Sequence, residues 1–450
     1  MTAAPALDIS RLMRPRSIAI VGISPEPSSA GFLALRNLED FGYSGAVHLV
    51  SRNQTNIGNR TCVRAIDDLP EGIDAAMLFI PRAAIEDAVA ACARRGVGGV
   101  VTFAAGFAEA GGQWQAAQER IAATARAAGL ALCGPNCLGI VDFAHGVPLT
   151  FARQIGRREQ VSSGAVVIAQ SGGLASIVRA ALTAKGVAVV CTVSTGNEAV
   201  LGLEDYAAYL LEDPATKLVV AFAEQIRKPQ RFLAMAVRAR ELGKPVVLLL
   251  SGHSAAARES AKSHTGALAG DYAVIEALLR HNCVMLVQSL EELFDVAELA
   301  LHFSAPPSKG LAMVTDSGAI KGLALDYCET LGARFAAAVS RPRGNHSGRT
   351  AGFRQCLQTA RPHCASNHPS GNVQAHHQAP AGRRRLRQPA ARRHHRGSKR
   401  FRRGQGQGMP RAADGIAKAS RPRIAGGRGE RAGVDHFRRA CGRDPVLLLA

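Results

Sequence analysis

"SIAIVGISPEPSSAG", residues 17–31, decides the fold. A β-branched apolar run stops at a glycine, a Ser/Pro turn follows, and small residues open a helix. A strand delivered through a glycine turn into a helix start is the opening unit of a parallel sheet covered on both faces. The pattern then repeats. Strands are expected at "SIAIVG" (17–22), "AVHLV" (46–50), "AAMLFI" (75–80), "GGVVTF" (98–103) and "LALC" (130–133). Helices are expected at about 30–41, 82–95 and 113–128. Together they make one Rossmann-like α/β domain over residues 10–145.

A second set restarts after the polar turn "GRREQVSSG" (156–164), with strands "AVVIAQ" (165–170), "VAVVCTV" (187–193), "LVVAFAE" (218–224), "PVVLLLS" (245–251) and "VMLV" (284–287). It reads as a flavodoxin-like, doubly wound domain over residues 160–303. "KGLAMVTDSGAIKGLALDYCETLG" (309–332) opens a third strand–turn–helix unit, over residues 309–337, that is never completed.

After residue 337 the periodicity stops. Only 14 of the 113 residues from 338 to 450 are Leu, Ile, Val or Phe, too few to bury a core. The charge changes at the same place: Lys and Arg number 29 against 31 acids in residues 1–333, but 26 against 4 in residues 334–450. All of the net +20 therefore lies in the tail, and the first three quarters read as a metabolic enzyme. Three readings of the tail compete: a disordered basic arm for nucleic acid, a zinc module, or the product of a shifted reading frame. The first lacks aromatic interleaving, and the second lacks cysteines at finger spacing near His376–His377 and His394–His395. The shifted frame is favoured, so residues 338–450 are expected to be disordered or non-native, and neither nucleic acid nor a metal is an expected partner.

Ten cysteines form no paired framework, no leader pattern is seen, and no apolar run approaches the roughly 18–20 residues of a spanning helix. A reducing cytoplasm and no membrane are expected.

The turn at residues 21–31 places Gly22 after a buried strand and Gly31 at a helix start, where unpaired N–H groups and the helix dipole favour a phosphate. Ser24, Ser28 and Ser29 offer hydroxyls. The turn is not GxGxxG, and no acid closes the second strand where a nicotinamide cofactor's ribose would need one. Arg52 stands there instead, suited to a further phosphate. "GPNCLG" (134–139) is, by itself, equally a tight turn. His264, in "KSHTGALAG" (262–270), is by itself equally a packed loop residue.

The motif order settles these ambiguities. "IAIVG…S…G", "FIPRAAI", "AAGFAEAG", "GPNCLG", "AQSGGLA", "STGNEA" and "SHTGALAG" together resemble the NDP-forming acyl-CoA synthetases, relatives of the succinyl-CoA synthetase alpha subunit and of ADP-forming acetate–CoA ligase. The resemblance runs from about residue 10 to 335. It implies a CoA-binding first domain with the nucleotide phosphates at Gly22, Ser24, Ser28 and Gly31, a basic contact from Arg52, and Pro81 on the adenine side. It implies that Gly134, Pro135, Asn136 and Cys137 lie by the pantetheine thiol. In the second domain it implies phosphorylation of His264, with Glu224 steadying the imidazole. Gln170, Ser171, Gly172, Gly173, Gly196 and Asn197 are implied to border the acyl phosphate and phosphate.

A neutral imidazole attacks a phosphoryl group when a carboxylate orients its other N–H. Thr265 and Gly266, near a helix N-cap, are then placed to hold the phosphohistidine oxygens. Cys137 has no base nearby in sequence and reads as a turn residue beside the thiol. Relatives often show "KAGRS" where this chain has "LSGHS", making Leu250 and His253 departures.

The reaction implied joins a carboxylic acid to coenzyme A through acyl phosphate and phosphohistidine. Exchange with ATP or ADP and Mg²⁺ requires an ATP-grasp module, which no motif here supplies; the resemblance implies either a separate beta-type partner subunit or, as in single-chain relatives, a module after the third unit, where this sequence loses its pattern, so a truncated synthetase is expected, within an oligomer. The acid is not read. Two other classes stay open: a non-catalytic CoA-binding regulatory protein, and a nucleic-acid-associated protein acting through the tail.

Overall fold

A short helix, α1 (Ser10–Met13), leads into β1 (Ser17–Val21), which is buried beyond its first residue. Gly22 turns the chain, and α2 (Ala30–Asp40) begins where the Ser29 side chain accepts the Phe32 N–H at 3.4 Å. The computed structural model describes residues 7–153, 161–254, 272–303, 312–313, 315, 317–332 and 358–359.

The first sheet adds β2 (Ala46–Val50), β3 (Asn56–Ile57), β4 (Arg60–Val63), β5 (Ala75–Leu78), β6 (Gly99–Thr102) and β7 (Ala131–Cys133). Its order is β3-β4-β2-β1-β5-β6-β7, parallel except for β3. Helices α3 (Ile85–Arg94) and α4 (Gly112–Ala127) flank it. The β3–β4 hairpin is short and largely polar, so the apolar pattern did not reveal it.

The second sheet is built on β10 (Gly164–Ala169), β11 (Val189–Ser194), β12 (Thr216–Ala223), β13 (Val246–Leu250) and β14 (Met285–Val287). These run parallel in the order β14-β13-β12-β10-β11, the flavodoxin-like 2-1-3-4-5 arrangement. Beside β11, β8 (Gly139–Asp142) and β9 (Val147–Leu149) extend the sheet as an antiparallel hairpin. The chain thus changes sheets directly after the "GPNC" turn. Helices α5 (Gly172–Ala184), α6 (Leu203–Leu211), α7 (Pro229–Glu241), α8 (Tyr272–His281) and α9 (Leu290–His302) complete this half.

Both sheets lie in one compact unit that ends at Pro306. A continuous apolar core joins them, running from Ile18 and Leu49 through Cys137 and Ile140 to Ile168 and Tyr206. Polar ties reinforce it. Arg14 bridges Asp142, at 3.2 Å, and Asp213. The buried Asn37 of α2 donates to the carbonyls of Thr150 (2.8 Å) and Ala152 (3.2 Å), just past β9.

Residues from Pro307 onward are a separate unit. Its described parts are β15 (Ala312–Met313), paired antiparallel with β16 (Gln358–Thr359), and α10 (Gly318–Thr330), capped by Ser317. The remainder of the expected tail lies outside the described residues.

Each sheet has a topological switch point, between β1 and β5 and between β10 and β12. Crevices at the carboxyl ends of such strands are where open α/β sheets bind ligands. Replacing Asn37 by Ala leaves the buried Thr150 carbonyl and the half-buried Ala152 carbonyl without their donor, so Asn37→Ala is expected to lower unfolding free energy in urea by about 1–3 kcal/mol.

Candidate functional site

At the first switch point Gly22 has φ +88°, and a Cβ there would overlap the Phe79 carbonyl oxygen. Gly31 opens α2 with its absent Cβ 3.0 Å from Ile23 Cα. Both glycines are therefore demanded by the tightness of the turn, which leaves its exposed side open to a ligand. The neighbouring strand ends converge on it: the Gly22 N–H donates to Val50 O at 2.9 Å, and the Ser51 hydroxyl to Ile23 O at 2.9 Å. Ser24 is half-buried; the Ser28 hydroxyl donates to the Glu26 carboxylate at 3.0 Å. Arg52 is exposed, and its carbonyl accepts from Arg64 at 2.7 Å, which brings a second guanidinium to the same edge. Pro81, exposed, follows β5.

The "GPNC" turn leaves β7 through a cis Gly134–Pro135 bond, with Asn136 at φ +58°. It meets the second domain here. A Cβ on Gly196 would overlap the Pro135 carbonyl oxygen, the Asn197 N–H donates to that oxygen at 2.9 Å, and the Ala199 N–H donates to Gly134 O at 3.1 Å. The Asn197 side chain accepts from Asn136 at 3.3 Å and donates to Glu109 (2.5 Å) and Gln118 (2.9 Å) of the first domain. Gly134, Pro135, Asn136, Gly196 and Asn197 are thus one assembly. Cys137 is buried, its Sγ 3.9 Å from that of Cys133; this contact and burial push its thiol well above the ordinary value. It has no thiolate character for acyl transfer at neutral pH.

At the second switch point Ser171 caps α5, and Gly172 and Gly173 form its first turn. The Gln170 amide spans the crevice. Its oxygen accepts the main-chain N–H groups of Glu224 (2.6 Å) and Gln225 (3.1 Å), and its nitrogen donates to Gln225 O at 2.7 Å. Glu224 follows β12 directly and is half-buried. His264, Thr265 and Gly266 lie outside the described residues.

Glu198 was not singled out from the sequence, although it follows Asn197 in "STGNEA". It is buried, with φ +56°. Its carboxylate accepts from Thr195 Oγ1 (2.8 Å), the Leu203 N–H (2.9 Å) and Gln170 Nε2 (2.9 Å), and lies 3.6 Å from Arg227 Nε. Burial first, then the neighbouring Glu204, raise its pKa to about 7, against the lowering pull of Thr195, Arg227 and Leu203. An acid among small polar residues directly after a strand was the signal available for it.

Residues 16–142 match the "CoA binding domain" family and residues 162–300 the "succinyl-CoA ligase like flavodoxin domain" family, together more than half of the chain. The chain carries the CoA-binding and succinyl-CoA ligase-like domains of these two families. The chain is 41% identical over 325 residues to a trans-feruloyl-CoA synthase from an unknown prokaryotic organism, covering 72% of this chain and 46% of that protein. It is 32% identical over 328 residues to an ADP-forming acetate–CoA ligase of Archaeoglobus fulgidus, covering 73% and 47%. It thus spans about half the length of these relatives. Among solved structures it resembles the dinucleotide forming acetyl-coenzyme A synthetase 1 of Ca. Korarchaeum cryptofilum in complex with phosphate and ADP (26% identity, TM-score 0.65, covering 72% of this chain and 69% of that one).

The raised carboxyl of Glu198 has a thermodynamic consequence. Between its ordinary value of 4.5 and about 7 the folded chain keeps a proton that the unfolded chain has released. The folded state therefore binds more protons in this window, and the stability contribution of Glu198 falls as pH rises through it. In urea titrations, Glu198→Gln should gain on the wild type by roughly 1–3 kcal/mol between pH 5 and pH 8. A difference that is flat with pH contradicts the assignment.

Proposed function

We propose that this chain is the CoA-binding, phosphohistidine-carrying part of an NDP-forming acid–CoA ligase. One observation carries the reading: the "GPNC" turn of the first domain and the loop Gly196–Glu198 of the second are tied together between the two switch points. A thiol delivered along the first sheet then ends beside the Gln170–Gly173 turn, where the α5 N-terminus favours an anion.

In the direction of thioester cleavage, inorganic phosphate attacks the acyl-CoA carbonyl. The C–S bond breaks, coenzyme A leaves as thiol, and an acyl phosphate remains. The neutral His264 imidazole then takes the phosphoryl group, the P–O bond to the acyl oxygen breaks, and the carboxylate departs. Glu224, at the same crevice, is assigned to orient the imidazole; Thr265 and Gly266 are assigned to the phosphohistidine oxygens. Gly22, Ser24, Ser28, Gly31 and Arg52 take the nucleotide phosphates, with Pro81 at the adenine. Exchange with ATP or ADP and Mg²⁺ is assigned to an ATP-grasp partner subunit. Two-subunit organisation has a parallel in the relative named "acetate–CoA ligase [ADP-forming] I subunit alpha" of Pyrococcus furiosus, at 26% identity over 330 residues.

The acid is read as aromatic. Phe79 and Phe103, directly after β5 and β6, stack with centroids 4.6 Å apart, and Phe151 stands edge-on to both, at 6.1 and 5.2 Å. The three are half-buried at the carboxyl edge, forming an apolar wall that suits a planar ring. The feruloyl-CoA synthase relative supports the same class.

Incubation of the purified chain with labelled phosphate and an acyl-CoA tests both parts. Feruloyl-CoA should yield acid-labile, base-stable label on the wild type and none on His264→Ala, and acetyl-CoA should support it at least tenfold less well, the order expected of about 1.4 kcal/mol of aromatic contact. Equal labelling by both thioesters contradicts the aromatic reading. An unlabelled wild type that still binds coenzyme A contradicts the catalytic one and leaves a CoA-binding regulatory protein.

A further inference from the structure

Coenzyme A binding does not explain the acid buried in the loop after β11. A non-glycine residue at φ +56° costs on the order of 1 kcal/mol of backbone strain. Burying a carboxylate beside a second acid adds to the cost, and Glu204 is itself 2% exposed. A residue held against both penalties is held by its partners, and these are specific.

The Gln170 amide makes four contacts, and they admit one orientation. Its oxygen faces two donors, the Glu224 and Gln225 N–H groups, and its nitrogen faces two acceptors, Gln225 O and Glu198 Oε2. Turning the amide over would set N–H against N–H at residues 224 and 225 and oxygen against oxygen at Glu198. Glu198 is in turn fixed at its other oxygen by Thr195 and by the Leu203 N–H at the start of α6. We propose that Glu198 is a positioning residue, whose Oε2 sets the Gln170 amide and through it the main chain at Glu224 and Gln225 beside the phosphate turn. This role rests on the reading of residues 170–173 and 224 as the phosphoryl-transfer end of the site.

The charged groups around Glu198 are Glu204 from α6 and Arg227 from the segment after β12; Lys228 from that segment pairs with Glu204 at 3.3 Å. A protonated Glu198 keeps the network intact, because a proton on Oε1 can be donated to Thr195, whose hydroxyl rotates to accept, while Oε2 still receives Gln170. A glutamine at position 198 cannot. Its NH₂ group meets either the Gln170 NH₂ group and Arg227 or the Leu203 N–H, so one contact is lost in each orientation.

The test combines three measurements on the full chain: hydrogen–deuterium exchange across residues 222–227, the rate of phosphate labelling with feruloyl-CoA, and coenzyme A affinity by calorimetry. Glu198→Gln should speed exchange at Glu224 and Gln225 and slow labelling, each about tenfold, the equivalent of one hydrogen bond, with coenzyme A affinity within about twofold. Gln170→Ala should reproduce both changes, and the double variant should add nothing to either single one. Gln170→Ala also supplies the test if Glu198→Gln does not fold. Unchanged exchange at residues 224 and 225, or additive effects in the double variant, overturns the role of Glu198. A wild type that takes no label overturns the proposed function instead, and the exchange arm still decides Glu198.

Discussion

The structure depends on a close approach between backbones. The α-carbon of Gly196 sits so near the Pro135 carbonyl that no side chain fits between them, and the Asn197 N–H donates to that same oxygen. Without this contact the two parallel sheets would be two binding domains in sequence. With it, the turn after β7 and the loop after β11 become one assembly. The side chains of Asn136, Asn197, Glu109 and Gln118 add direction to what the backbone begins. The apolar continuity from Ile18 to Tyr206 supplies most of the cohesion, since it is the large term that carries no orientation of its own.

The second half carries an uncommon burden of buried acid. Glu198, Glu204 and Asp205 lie within one loop and helix start, answered by Arg227, Lys228 and Arg231. Breaking such a pair leaves an uncompensated buried charge, whereas the intact set gains little stability over an apolar packing of the same volume. What the arrangement achieves is definition of geometry at the crevice between Gln170 and Glu224. Across the turn, the Cys133 and Cys137 sulfurs are buried 3.9 Å apart, and this contact together with burial pushes the Cys137 thiol well above its ordinary value, which is not the character of a nucleophile.

Much of this was legible in the residues. Strands buried on both faces read as continuous apolar runs, so the parallel members of both sheets other than the short β4 were found near their observed positions, and the glycine turns followed from them. The hairpin of β8 and β9 was not, because its strands are three or four residues long and differ little from the turn that precedes them. Its transfer to the second sheet is a tertiary event with no periodic signature. Motif order pointed to Gly196 and Asn197 but stopped one residue short of Glu198, whose burial and left-handed backbone are properties of the folded loop. A glutamate in a Gly/Asn-rich loop otherwise reads as solvated. His264 rests on motif order alone, since it lies outside the described residues.

The central claim is that the turns at residues 22–31 and 134–138 form a coenzyme A site continuous with the loop at residues 196–197. Hydrogen–deuterium exchange with and without coenzyme A measures it most directly. Protection is predicted at residues 22–31, near Arg52 and Pro81, and across 134–138 and 196–197 together. Protection confined to the polar cavity of about 550 Å³ lined by Arg14, Arg16, Tyr43 and His145, on the far side of the first sheet at the start of β1, would contradict it.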